Sequence, residues 1–307
     1  MSLSKPFPLQ KLPRLAFEHV LLQMYPLDLF ELSNIPSKNL LNQMKACSLA
    51  SHCDIDLNNK EACLSITMRT GLTLNWRVFH YDSSRLDLVA NFNLHLYPER
   101  FLEGNLKVVM IGEGLMLKNS KCTSTDTIYS EAHLIDSQDH SEQLLFSQLL
   151  SKFPCPIKSL QVFVNPQNCF IPKYIFNWNT VQKCETLRYV CCDRDLFLDG
   201  LEGLEVTKKV WIDNTVLTFF DPPAISLRNK QMRDYRELYL VNFQNYSNND
   251  LRESHNEHLV LEFCDLTVED LIEYLKSWQA DLSVIPNGLD LEGSMPRSTP
   301  DFVRWVM

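Results

Sequence analysis

The sequence predicts an α+β chain: short helices at the N-terminus, a strand-rich stretch, and then α/β units of similar length toward the C-terminus. Three observations lead there. Prolines and leucines crowd the segment from Phe7 to about residue 45. Apolar and polar residues alternate in short runs from about residue 62 to residue 134. Beyond that, strand-like runs recur at intervals of about 21 to 29 residues, the period of a strand plus its return connection.

The helices come first. A helix is expected to start near Pro13, because a proline in the first turn loses no hydrogen bond. Phe17, Val20, Leu21 and Met24 follow at i, i+3, i+4 and i+7, which marks one apolar face, and Pro26 is expected to end the helix. A second helix is expected through Leu27, Leu29, Phe30 and Leu32, and a third after Pro36 with Leu40, Leu41 and Met44. A module this small buries little apolar surface by itself. Its apolar face is therefore expected to rest on another protein or on the following domain.

In the next stretch CLSITM, WRVFHY, FNLHLY and LKVVMI alternate apolar and polar residues, with Asp82, Ser83, Ser84, Pro98, Gly104 and Gly112 in the breaks. This predicts a meander of strands packed by one face. SEQLLFSQLLSKF then sets Leu144, Leu145, Gln148, Leu149 and Lys152 at helical spacing, and Pro154 and Pro156 stop it, which marks a boundary. The runs LQVFVN, TLRYVCC, KKVWID, ELYLVN and HLVLEF follow, from Leu160, Thr186, Lys208, Glu237 and His258. No such unit covers its own apolar face, so neighbours are expected to stack; the alternative is a single irregular α+β domain. After the last run, Thr267 is the expected N-cap of a helix with Glu269 and Asp270 in its first turn, where carboxylates meet the partial positive charge of the helix end. Leu271, Ile272, Leu275 and Trp278 are its expected inner face, and Phe302 to Val306 is a final strand candidate.

Composition bounds the function. The chain has 307 residues, 45% of them hydrophobic, which is ample for a core. No run of about eighteen apolar residues predicts a membrane span, and the first residues lack the basic start and apolar middle of a signal peptide. An intracellular protein, cytoplasmic or nuclear, is expected. Its 10 cysteines show no CxxC pair, so buried free thiols are expected; Cys191 and Cys192, adjacent in a strand-like run, would point to opposite sides of a sheet. The sequon Asn245-Tyr246-Ser247 is then idle.

A net charge of −9 without a basic stripe argues against nucleic acid as a partner. The acidic run from Asp193 to Glu205 lacks EF-hand spacing and reads as a solvated loop. Glycine pairs such as Gly112 with Gly114 and Gly200 with Gly203 suit turns rather than phosphate loops, and neither GxSxG nor HExxH occurs. His255 and His258 would point to opposite faces of a strand, and His133 and His140 flank Asp136 and Asp139 in a polar loop. No catalytic residue, metal ligand or cofactor site is expected.

The ordered string Phe7, Pro8, Leu9, Leu12, Pro13, then Val20, Leu21, Leu29 and Leu32, resembles an F-box, the motif that docks on the Skp-family linker of SCF ubiquitin ligases. Its FPLxxLP opening is similar to the nematode-expanded F-box proteins that carry a type 2 F-box-associated domain. The third helix departs from the usual pattern, with Asn39 and Gln43 where many F-boxes place larger or basic residues. KVWID and LTVEDLIEYLKSWQAD resemble the middle and the strand-then-helix block of the associated domain, while residues 60–150 match weakly.

The resemblance implies an F-box over residues 1–48 and an associated domain over 49–307, strand-rich at 60–135 and with α/β units resembling leucine-rich repeats at 141–285. It implies that the nine residues just named bind the linker, and through it a cullin. The chain would then be a substrate receptor rather than an enzyme, with an unknown target protein held by the C-terminal domain. Trp178, Trp211 and Tyr239 are the candidate target contacts, since aromatic residues are enriched at binding hot spots, although burial in the core is the expected fate of each. The alternative is a non-catalytic scaffold of repeat type whose N-terminal helices cap its own core.

Overall fold

The computed structural model describes residues 9–58, 61–80, 107–110, 115–122, 127–134, 141–163, 181–190, 204–213, 235–241, 248–252, 254, 256–262, 267, 269–270, 272–274, 276 and 288–292. The protein is mixed α and β, with N-terminal helices followed by extensive sheet. It divides into two compact units, residues 1–55 with 60–156, and residues 56–59 with 157–307.

A single 3-10 turn, Leu9–Lys11, leads into α1 (Arg14–Leu22), α2 (Pro26–Ser33) and α3 (Lys38–Ala46). Pro13 is the N-cap of α1. Pro26 differs from expectation: α1 has already ended at Leu22, and Pro26 opens α2, where its missing N–H costs nothing. Ser37 caps α3, its Oγ accepting from the Leu40 N–H at 3.3 Å. Phe17 and Leu21 of α1, Leu27, Leu29 and Phe30 of α2, and Leu40 and Met44 of α3 are buried. Val20 is not on that buried face.

Polar contacts fasten the helices to the chain that follows. Arg14 donates to the Ala46 carbonyl at the end of α3 at 3.0 Å. Arg69 pairs with Glu18 at 2.5 Å and donates to the Cys47 carbonyl at 3.3 Å.

The first unit's strands are β1 (Ala50–Leu57), β2 (Glu61–Met68), β3 (Thr73–His80), β4 (Lys107–Met110), β5 (Leu115–Cys122) and β6 (Thr127–Leu134), side by side in the order β1-β2-β3-β6-β5-β4. β2 and β3 form an antiparallel hairpin from Glu61↔Phe79 to Thr67↔Thr73. In its turn Gly71 has φ +85, the left-handed region where a side chain is strained, and its N–H donates to the Met68 carbonyl at 2.9 Å. The strands are not a simple meander. β3 pairs with β6 in parallel, Asn75↔Thr127 to His80↔Ala132, and β5 and β4 follow antiparallel. β1 was not expected, although Cys53, Ile55 and Leu57 alternate with Asp54 and Asp56 and are buried while their neighbours are not. FNLHLY lies outside the described residues.

The helix α4 (Ser141–Lys152) closes this unit, as the spacing predicts, with Leu145, Phe146 and Leu149 buried. Cys53 and Cys155, both free, lie next to each other. The hydrogen bond between their thiols, with burial, holds Cys53 above the ordinary thiol range, and the same bond draws Cys155 below it against the opposing effect of burial. Cys191 and Cys192 lie outside the described residues.

The second unit is built from β7 (Ile157–Phe163), β8 (Lys183–Val190), β9 (Glu205–Asp213), β10 (Glu237–Val241), β11 (His258–Glu262) and β12 (Gly288–Glu292), side by side in chain order. Every pair whose register is described is parallel. Parallel neighbours require a crossover connection, which is why the strands recur at repeat-like intervals. A short helix, α5 (Asn248–Arg252), lies between β10 and β11. One face of the sheet is buried through Leu160, Leu187, Val210, Leu238 and Leu259, with Val162, Tyr189, Ile212, Leu240 and Leu261 two residues on. β12 was not expected, and the strand candidate at Phe302 to Val306 lies outside the described residues.

Residues 269–270, 272–274 and 276 are helical, and Thr267 caps them as expected. Its Oγ1 accepts from the Asp270 N–H at 3.1 Å while Asp270 accepts from both the hydroxyl and the N–H of Thr267, a reciprocal capping box. Of the expected inner face, Ile272 is exposed, while Leu271, Leu275 and Trp278 lie outside the described residues; Tyr274 is buried, two residues of helix turning a side chain about 200° from Ile272.

Donation by Thr267 draws the Asp270 carboxyl below its ordinary range. A lowered folded value stabilises above the unfolded carboxylate pKa and is lost as pH falls through the folded one. Thr267→Ala is therefore expected to cost about 1 kcal/mol near neutral pH, with a smaller gap from wild type in acid. Urea denaturation at both pH values tests it. A gap that does not narrow would assign the whole effect to the hydroxyl's bond with the Asp270 N–H.

Candidate functional site

Two surfaces hold the residues that the sequence singles out. The first is the outer side of the N-terminal helices. Their inner side rests on the chain's own sheet, where Phe30 of α2 meets Trp76 of β3 edge to face with ring centroids 5.0 Å apart. Lys152 of α4 lies 5.3 Å from the centre of the Phe30 ring and also reaches the Asn34 side chain; burial lowers its pKa.

Away from that contact, the module leaves large apolar side chains exposed. Leu15 is 81% exposed, Tyr25 65%, Ile35 49% and Val20 39%. The remaining large apolar side chains of comparable exposure among the described residues, Leu72, Phe163 and Ile272, are scattered. Four exposed large apolar side chains on one small module make it a candidate contact surface, since isolated exposed residues carry no such meaning.

The nine residues named for linker binding divide. Leu21 and Leu29 are buried within the chain's own packing, Leu9, Leu12 and Leu32 are half-buried, and Pro13 and Val20 are exposed. Phe7 and Pro8 lie outside the described residues. Leu15, Tyr25 and Ile35 were not named. Position in a leucine string does not reveal which side of a helix its own domain covers, and that is why they were missed.

The second surface is the open face of the parallel sheet. Parallel register sets Arg188 of β8, Trp211 of β9 and Tyr239 of β10 in one row across three strands. Trp211 and Tyr239 stack with centroids 5.4 Å apart and planes 7° from parallel. Arg188 lies 5.2 Å from the Trp211 ring centre. Lys209, two residues before Trp211 and so on the same face, lies 5.2 Å from that ring and 3.7 Å from Tyr239. Two of the three aromatic residues singled out in the sequence thus form one site, half-buried rather than core; Trp178 lies outside the described residues. Arg188 and Lys209 were missed, although each follows from pairing the strand-like runs side by side.

Acidic groups border this ladder. Glu237 stands opposite Lys209 in register, and Asp213 follows Trp211 by two residues. Among the described residues neither Arg188 nor Lys209 forms an ion pair with a carboxylate. The Trp211 Nε1–H is buried without an acceptor among the described residues.

No family model, curated protein or solved structure matches the chain. No group of three or more His, Cys, Asp or Glu side chains that could hold a metal occurs among the described residues. No described helix is long and apolar enough to cross a membrane. The first surface gathers exposed apolar side chains, and the second gathers aromatic rings with cationic hydrogen-bond donors.

Proposed function

We propose that the chain is the substrate receptor of an SCF-type ubiquitin ligase. Its N-terminal helices, read as an F-box, dock on a Skp-family linker and through it on a cullin, and its C-terminal unit holds a target protein. The observation that carries this reading is the outward apolar set Leu15, Val20, Tyr25 and Ile35, on helices whose inner side is already filled. The Leu9, Leu12, Pro13 string that opens those helices supports it, as do the parallel strands of the second unit, which suit stacked repeats resembling leucine-rich repeats.

The ubiquitin chemistry belongs to the partners. This chain contributes proximity: holding a target lysine near the charged conjugating enzyme raises its effective concentration without an acid or base from this chain. The reading implies an intracellular protein that needs no cofactor.

One observation favours a second reading, a scaffold whose helices cap its own core, namely the Phe30 contact with Trp76. Co-expression with a Skp-family linker separates the two. The wild type is expected to co-purify with the linker, and Leu12→Asp and Leu15→Asp to lose it while the circular dichroism spectrum stays unchanged. Leu15 is the cleaner position, because its side chain supports nothing else in the chain. A wild type that leaves the linker behind would overturn the receptor reading and favour the scaffold.

A further inference from the structure

We infer that the open sheet face of the second unit binds an acidic segment of a protein, its carboxylates on Arg188 and Lys209 and an adjoining apolar side chain on the Trp211–Tyr239 stack. This rests on the reading of the chain as a target receptor and names the chemical class of the target.

Arg188 and Lys209 are held over aromatic rings by cation–π attraction, which leaves their N–H groups free to donate outward. Neither has a carboxylate partner among the described residues. Two cationic donors on adjacent strands therefore call for an anionic, acceptor-rich ligand, and the stacked Trp211 and Tyr239 beside them supply apolar contact area.

The bordering acids give the site a direction. Glu237 on β10 and Asp213 at the end of β9 repel carboxylates placed beside them, so the acidic residues of the ligand lie on the β8 side of the row, against Arg188, and reach Lys209 from the side away from Glu237. A nucleic acid also carries acceptors, but its evenly spaced phosphates would run into those carboxylates, and the chain as a whole carries a net charge of −9.

Fluorescence anisotropy with the full chain tests this. The probes are a fluorescein-labelled peptide of alternating Glu and Leu, its Gln-for-Glu counterpart, and a labelled oligouridylate. The Glu peptide is expected to bind at least about tenfold tighter than the Gln peptide and to weaken as salt rises. Arg188→Gln and Lys209→Gln are each expected to weaken it by about tenfold. Both side chains sit on the sheet surface, so thermal unfolding of each variant should match wild type.

Equal affinity for the two peptides, no binding of the Glu peptide by wild type, insensitivity to both substitutions, or preference for the oligouridylate would each overturn the inference. Leu15→Asp is expected to leave peptide binding unchanged. A chain that binds the Glu peptide and not the linker would keep the site and remove the receptor reading, whereas the reverse would keep the receptor and remove the acidic class.

Discussion

Leu21→Ala is expected to cost about 3 kcal/mol of stability, and Leu15→Ala, on the same helix, less than about 0.5 kcal/mol. Leu21 is 0% exposed between α1 and the other helices, so truncation leaves a cavity in a region that is closely packed. Leu15 packs against nothing that truncation would empty. Chemical denaturation of the full chain measures both. Similar losses for the two variants would mean that Leu15 is covered in solution. The contrast also decides how linker-binding variants are read: loss of binding at Leu21 reports unfolding, whereas loss at Leu15 reports a contact.

Phe30→Ala is expected to cost about 3 to 4 kcal/mol and to make residues 9–46 sensitive to protease before the rest of the chain. Phe30 is the buried ring by which α2 meets β3, and Lys152 shares its face. In a double-mutant cycle with Trp76→Leu, about 1 kcal/mol of the loss is expected to be shared between the two positions, the usual worth of an edge-to-face pair beyond its buried area. Helices that remain protected in Phe30→Ala would show that the contacts of Arg69 with Glu18 and the Cys47 carbonyl hold them without the ring. Exposed ion pairs rarely contribute more than about 1 kcal/mol, so that result is not expected.

Local chemistry was readable from the residues. Prolines bracket the three helices, Thr267 with Asp270 forms its cap, and Pro154 and Pro156 end α4 where the second unit begins. The runs at Glu237 and His258 are strands with the bounds that alternation suggests, because capping, turn formation and period-two burial depend on neighbours along the chain. Val20 was misassigned because i, i+3, i+4 spacing admits either edge of an apolar stripe. Ile272 was misassigned because the adjacent Leu271 and Ile272 do not reveal which of them sets the phase of the helix.

Residue pattern alone carries the mixture of helix and strand, the order of helices before strands, and two of the aromatic residues of the ladder. Long-range packing sets the pairing of β3 with β6 rather than with its next neighbour, the turning of Phe30 inward and Leu15 outward on the N-terminal helices, and the placing of Arg188 and Lys209 over Trp211. One cause underlies all three. Strand pairing, helix packing and the convergence of cations on a ring are set by residues far apart in the chain, whose energies depend on which surfaces meet, and a linear pattern records only what each segment is able to bury.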